Sequence, residues 1–166
     1  SAPGTAVKEA YDTSGIVTND RGITVWLKGN RVSRNQIMAI KEESVTDQKD
    51  SLAVCLDNIL RHAGITRNTE YDLAQGKTAI EILSENMTGV QVLDLSGCNL
   101  DAVLYYVNQD IPVLAILENG EAVLVTGFNE FNVVIMEPST GKLYKKGMND
   151  ATSWFAENGN HFVTYM

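Results

Sequence analysis

The chain has 166 residues, of which 44% are hydrophobic and 20% are charged. These values are typical of one globular domain, and they exclude a disordered or collagen-like chain. Lysine and arginine number 13 against 21 aspartates and glutamates, which gives a net charge of −8. A nucleic-acid binder normally carries the opposite sign, and no apolar run approaches the roughly 20 residues of a membrane span. We therefore expect neither a nucleic-acid partner nor direct insertion into a membrane.

The first 44 residues carry weaker structural signals than the rest of the chain. Residues 1–22 are rich in Gly, Thr, Ser and Asp, which predicts a loose arm or linker. Residues 23–27 are rich in β-branched and aromatic side chains, which predicts a strand, and Gly29 ends the run. Residues 34–43 favour a helix over a strand, so 23–44 is interpreted as a strand and a connecting segment. The role of residues 1–45 stays open, and one interpretation is a pairing strand from a neighbouring domain with Trp26 as its anchor.

Residues 50–63 give the clearest helical pattern in the chain. Their apolar residues are spaced three and four apart, as on the buried face of a helix. Asp50 can cap the start of this helix and Gly64 can end it. Cys55 lies within the apolar run and is interpreted as a small buried hydrophobe. Shorter helices are predicted over 78–86 and 99–108, with a strand over 91–95 between them.

The second half of the chain changes to a pattern typical of strands. Residues 112–117 and 121–127 flank Asn119-Gly120, a dipeptide that favours a tight hairpin turn. Further strands are predicted over 132–136 and 161–165, with a short strand at Leu143-Tyr144 and a helix over 150–157. Helices followed by a mostly antiparallel sheet predict an α+β fold in which N-terminal helices pack on a C-terminal sheet.

Three short segments of this pattern resemble the double-glycine (bacteriocin-processing) C39-type peptidases, which have the papain-like fold. The helix of that family carries Asp-Cys-Gly, two small residues, Cys or Ser, and Leu; residues 50–56 read Asp-Ser-Leu-Ala-Val-Cys-Leu. The family's hairpin has His, a β run, Thr-Gly and an aromatic residue; residues 121–128 read Glu-Ala-Val-Leu-Val-Thr-Gly-Phe. Its acid-Pro pair matches Glu137-Pro138. The resemblance covers residues 45–166 and implies a peptidase-like domain there.

The resemblance also implies that the catalytic residues are substituted. The family's nucleophilic cysteine is replaced by Ser51, and its histidine base by Glu121, whereas its orienting acid keeps its chemical type as Glu137. The family's oxyanion-stabilising glutamine lies further upstream than Gln48, so Gln48 matches that position poorly. A cysteine peptidase needs a thiolate formed beside an imidazole, and a carboxylate is too weak a base to replace that imidazole for a serine.

The sequence therefore predicts a catalytically inactive peptidase-like domain that binds a peptide or protein partner through Ser51, Glu121 and Glu137. The acidic pair Glu121 and Glu137 predicts a preference for a basic ligand. The resemblance implies a larger, bacterial, surface-exposed protein whose other domains are further partners. No cofactor is expected, and two scattered cysteines and two histidines do not make a metal site.

Two alternatives stay open from the sequence. The chain is an active hydrolase if Ser51 or Cys98 is paired with His161, and a cysteine near a helix N-terminus can have a lowered pKa. The chain is a structural spacer if the cleft is filled and holds no ligand. His62 lies three turns along the predicted helix from Ser51 and cannot reach it there.

Overall fold

A six-stranded antiparallel sheet forms the centre of the molecule, in a computed structural model that describes residues 3–13, 15–28 and 50–166. The elements in chain order are α1 (Pro3–Thr13), β1 (Ile16–Thr18), β2 (Thr24–Leu27), α2 (Ser51–His62), α3 (Glu70–Ala74), α4 (Ala79–Asn86), β3 (Val92–Asp94), α5 (Leu100–Asn108), β4 (Val113–Ile116), β5 (Ala122–Phe128), β6 (Asn132–Glu137), β7 (Lys142–Gly147), α6 (Met148–Glu157) and β8 (Phe162–Tyr165).

The strands of the central sheet lie in the order β3-β8-β4-β5-β6-β7, and β1 and β2 form a separate two-stranded sheet. The hairpin between β4 and β5 pairs Ile116 with Ala122 at its closed end. Strand β6 pairs with β5 on one side and with β7 on the other, and Glu137 lies opposite Lys142 where β6 ends. The β4–β5 turn and the β6–β7 turn therefore lie at one end of the sheet, beside the start of β5, and the β5–β6 turn lies at the opposite end.

Both faces of the central sheet are covered by helices, because side chains alternate between the two faces of a strand. One face packs against α2 and α4 and contributes Leu114, Leu124, Met136 and Val163. The other face packs against α5 and α6 and contributes Val113, Val123, Val125, Ile135 and Phe162. A strand that is buried on both faces reads as a continuous apolar run, and this explains why all seven residues of β5 are buried.

Helix α2 begins and ends where local signals predict. The Asp50 side chain accepts a hydrogen bond from the backbone N–H of Leu52 at 2.8 Å, which satisfies one of the free N–H groups of the first turn. Gly64 follows the helix with a φ of 84°, a left-handed conformation that favours glycine. The apolar face of α2, including Cys55, Leu56 and Ile59, is completely buried.

The structure confirms the α+β class, the helices predicted over 50–63, 78–86, 99–108 and 150–157, and every strand predicted in the second half. It adds the short helix α3, which the sequence reading missed. The strand predicted over 23–27 is confirmed as β2. The helix favoured over 34–43 and the boundary at residue 45 lie outside the described residues, and both stay predictions.

The loose arm predicted over residues 1–22 is wrong for residues 3–13 and 16–18, which form α1 and β1. Val7 and Ala10 of α1 are buried in the same core as Trp26. Gly4 approaches β3 so closely that an added Cβ would lie 3.0 Å from the carbonyl oxygen of Asp94. The apolar signal of α1 is weak because the residues that it buries, apart from Val7, are glycine and alanine.

Two hydrogen bonds join β2 to α5 inside the core. The indole Nε1 of Trp26 donates to the carbonyl oxygen of Ala102 at 2.9 Å, and the Tyr106 hydroxyl donates to that of Val25 at 2.8 Å. Both side chains are buried. The N-terminal segment is therefore part of the folded domain.

Over the ranges that the structure describes, no helix is both long and apolar enough to cross a membrane. The same residues contain no group of three or more His, Cys, Asp or Glu side chains placed to hold a metal ion.

The packing of Trp26 predicts that the N-terminal segment contributes to the stability of the whole domain. Trp26→Ala should lower the free energy of unfolding by about 3–5 kcal/mol, the usual cost of truncating a buried aromatic residue. Urea unfolding followed by far-UV circular dichroism measures this loss. Ile16→Ala is the matched control, since Ile16 is 60% exposed, and its effect should stay within about 0.5 kcal/mol. An equally small effect of Trp26→Ala would contradict the packing described for β2.

Candidate functional site

A cleft of about 600 Å³ opens where the start of α2 meets the β4–β5 turn and the β6–β7 turn. Its lining includes Ser51, Glu121 and Glu137, the three residues that the resemblance implied, and also Asp50 and two aromatic residues. The structure thus brings together three positions that lie up to 86 residues apart in the chain. The volume is within the usual range for a small-ligand pocket.

Ser51 is the first residue of α2 and lies against the first residue of β5. Its Oγ accepts a hydrogen bond from the backbone N–H of Ala122 at 2.9 Å. A serine hydroxyl has a single proton and two lone pairs, so this contact leaves the proton of Ser51 available to a ligand. The contact also fixes the start of α2 to the closed end of the β4–β5 hairpin.

Glu121 lies one residue before Ala122 and its side chain is exposed. Its carboxylate Oε2 accepts a hydrogen bond from Nδ2 of Asn119 at 3.3 Å, and Asn119 Oδ1 accepts one from the Glu121 backbone N–H at 3.0 Å. These contacts belong to the hairpin turn, and they hold the carboxylate at the edge of the cleft.

Glu137 ends β6, immediately before Pro138. Its Oε1 accepts a hydrogen bond from the backbone N–H of Ser139 at 3.0 Å, and its carbonyl oxygen accepts one from the N–H of Gly141 at 2.8 Å. Glu137 therefore organises the β6–β7 turn while it lines the cleft. Burial and then the negative charge of Glu137 raise the pKa of the Tyr144 hydroxyl.

Neither cysteine of the chain lines the cleft, although both lie in the described residues. Cys55 is completely buried, and burial followed by the charges of Glu137 and Asp50 raises the pKa of its thiol. Cys98 lies in the core beside α5, where its Sγ donates to the carbonyl oxygen of Gly4 at 3.3 Å. The suggestion that the pKa of Cys98 is lowered is wrong, because burial raises it to about 11.

Neither histidine of the chain lines the cleft, and both are described. The Nε2 of His62 lies 2.9 Å from the carbonyl oxygen of Asp110, away from the start of α2. His161 precedes β8, and its carbonyl oxygen accepts a hydrogen bond from the N–H of Ile116. The structure does not place His161 in the cleft with Ser51, and it places Cys98 in a different part of the core.

Ser51, Glu121 and Glu137 could be predicted from the sequence as residues of the cleft, whereas other lining residues could not. Asp50 was recognised as a helix cap but not as part of the cleft, although its position beside Ser51 could have suggested this. Tyr144 and Trp154 line the cleft from β7 and α6, and no local sequence signal marks them. Gln48 lies outside the described residues.

The polar and aromatic groups in the described lining of the cleft are two serine hydroxyls, an asparagine amide, three carboxylates and two aromatic rings, and the lining contains no lysine, arginine or histidine. A serine nucleophile needs a neighbouring general base that takes its proton, and a carboxylate is too weak a base for this role. The lining of the cleft can accept hydrogen bonds and bind a cation, but its described residues include neither a thiol nor an imidazole.

No family model matches the chain, and no curated protein matches its sequence. A solved structure that shares its fold is that of a candidate C39-like peptidase from Bacillus anthracis, with a TM-score of 0.67 and 13% sequence identity. The match covers 81% of this chain and 98% of that chain. This likeness confirms the predicted papain-like fold of the C39 type. At this level of identity it shows the fold alone.

The buried thiol of Cys98 predicts that the domain loses stability in alkaline solution. The pKa of Cys98 is about 11 in the folded protein against an ordinary value of 9.0, so the folded state keeps a proton that the unfolded chain releases. This contribution to stability is complete below about pH 9 and is lost as the pH rises through about 11. Tyr165, whose pKa burial and the charge of Asp110 raise to about 12, acts in the same direction.

Urea unfolding in steps from about pH 8 to about pH 11 tests this linkage. The free energy of unfolding should fall across the range, and it should fall less steeply in Cys98→Ala, which has no thiol to titrate. An identical slope for the wild-type protein and Cys98→Ala would contradict the burial described for this thiol.

Proposed function

We propose that this chain is a peptidase-like domain that has lost peptide cleavage and binds a peptide or protein partner in the Ser51 cleft. The observation that carries the proposal is the composition of the cleft. Both cysteines and both histidines of the chain lie outside its lining, whereas Ser51, Glu121 and Glu137 lie within it. The fold is of the C39-like type and keeps the cleft, but the lining has no thiol–imidazole pair. This combination supports peptide binding over peptide cleavage.

Two features of the cleft favour an extended peptide as the partner. The cleft is bordered by two turns, the start of a helix and Tyr144 of the edge strand β7, and an extended chain can pair with such an edge. The side-chain oxygens of Ser51, Glu121 and Glu137 line the cleft and can receive hydrogen bonds from a peptide. The active-hydrolase alternative, which pairs Ser51 or Cys98 with His161, has no contact among the described residues that favours it.

The loss of cleavage is tested with a pool of unmodified random peptides incubated with the purified domain. Mass spectrometry then detects any new peptide termini. We expect the wild-type protein to produce no more new termini than Ser51→Ala does, because neither has an activated nucleophile. Cleavage by the wild-type protein that Ser51→Ala abolishes would overturn this half of the proposal.

Binding is tested with a random peptide library displayed on phage and selected on the wild-type domain. Ser139→Trp places a large side chain at an exposed position in the lining of the cleft. We expect it to weaken the selected peptides by about tenfold or more, which is ~1.4 kcal/mol. Ser153→Trp is the matched control, because Ser153 is exposed on α6 and does not line the cleft. Selected peptides that bind both variants equally well would overturn the proposed binding site.

A further inference from the structure

The carboxylates that line the cleft have polar partners, and although Lys142 lies opposite Glu137 in the β6–β7 register, no ion pair joins these two described residues. Asp50 accepts from the N–H of Leu52, Glu121 from the Asn119 amide and Glu137 from the N–H of Ser139. Each of these donors is neutral. In the part of the chain that the structure describes, none of the three carboxylates forms an ion pair, so the cleft holds three negative charges that an incoming cation can compensate.

Two aromatic rings complete the lining, and one of them already binds a cation. The ammonium group of Lys146 lies 4.8 Å from the ring centroid of Trp154, within the range of a cation–π contact. Lys146 itself does not line the cleft. Tyr144 lies in the lining and is 37% exposed. The walls of the cleft therefore suit a group that is both cationic and flat.

We propose that the cleft takes an arginine side chain of the bound peptide, which rests on the peptide binding proposed above. A guanidinium group has five N–H donors in a planar fork that matches carboxylates, and its plane stacks on aromatic rings. Asp50, Glu121 and Glu137 receive the donors, and Trp154 or Tyr144 packs against the plane. A lysine ammonium would meet the charge but not the planar geometry.

The two tryptophans of the chain give a direct readout. Trp154 lines the cleft, whereas Trp26 is buried in the core with its Nε1 bonded to Ala102. The probes are N-acetyl-arginine methylamide and the neutral, nearly isosteric N-acetyl-citrulline methylamide, added to ¹⁵N-labelled wild-type protein. We expect the arginine probe to shift the Trp154 indole signal in a saturable manner and to leave the Trp26 signal unchanged. The citrulline probe should bind roughly tenfold more weakly or not at all, and added salt should weaken the arginine probe.

A double variant tests the role of the carboxylates. Glu121→Gln with Glu137→Gln keeps the size of both side chains and should weaken the arginine probe by about tenfold. Glu130→Gln with Glu157→Gln is the matched control, since it removes two exposed charges that lie outside the lining. Its binding should be that of the wild-type protein. Equal loss in both double variants would mean a general effect of net charge and would overturn the proposal.

The outcomes separate this inference from the function on which it rests. In one outcome, the peptides selected on phage are weakened by Ser139→Trp but show no enrichment of arginine, and the two probes shift the Trp154 signal equally. The arginine inference then fails and the peptide-binding function stands. If no selected peptide depends on Ser139, the function itself fails. If arginine is enriched in peptides selected on the wild-type domain but not in peptides selected on the Glu121→Gln, Glu137→Gln double variant, both the peptide-binding function and the arginine inference are supported.

Discussion

The hydrogen bond from the Ala122 N–H to Ser51 Oγ fixes the place where the two halves of the molecule meet. It joins the first residue of α2, in the helical half, to the first residue of β5, in the sheet. Asp50 caps the helix next to this contact, and the β4–β5 turn closes beside it. Because α2 is buried along its apolar face and β5 is buried on both faces, neither element can move without disturbing the core. The starts of α2 and β5 are therefore held in place where they meet the cleft.

The ligands and reactions that this cleft can support depend on its charges. In an active thiol peptidase the start of the helix presents a thiolate beside an imidazolium. Here the start of α2 presents a hydroxyl beside carboxylates. The cleft therefore has negative charge alone, in place of the thiolate–imidazolium ion pair of an active peptidase. The carboxylates of Glu137 and Asp50 add to the burial that raises the pKa of the nearby Cys55 thiol. The same field that disfavours an anionic nucleophile favours a cationic ligand, so the proposed loss of cleavage and the proposed choice of partner have one physical cause.

Much of the fold could be predicted from local signals, because α2 and the β4–β5 hairpin have both a periodic apolar pattern and defined ends. Asp50 and Gly64 mark the helix, and Asn119-Gly120 marks the turn. Helix α1 could not be predicted in this way, because it buries mainly small residues and owes its place to contact with Trp26 and β3. For the site, similarity of order and spacing to a known family suggested Ser51, Glu121 and Glu137. Tyr144 and Trp154 reach the cleft only through tertiary packing across β7 and α6, which no local pattern encodes.

The central claim is that the Ser51 cleft is open but holds no activated nucleophile, and intact-mass analysis after labelling tests it most directly. The native protein is treated with a fluorophosphonate and, separately, with chloroacetamide, and adducts are mapped and compared with those of the urea-unfolded chain. Ser51→Cys is the positive control for access, since its thiol lies in the lining and should react with chloroacetamide faster than the buried Cys55 and Cys98. The account predicts no fluorophosphonate adduct on the native wild-type protein and slower cysteine labelling than in the unfolded chain. Rapid labelling of Ser51 or Cys98 that requires the folded state would contradict it.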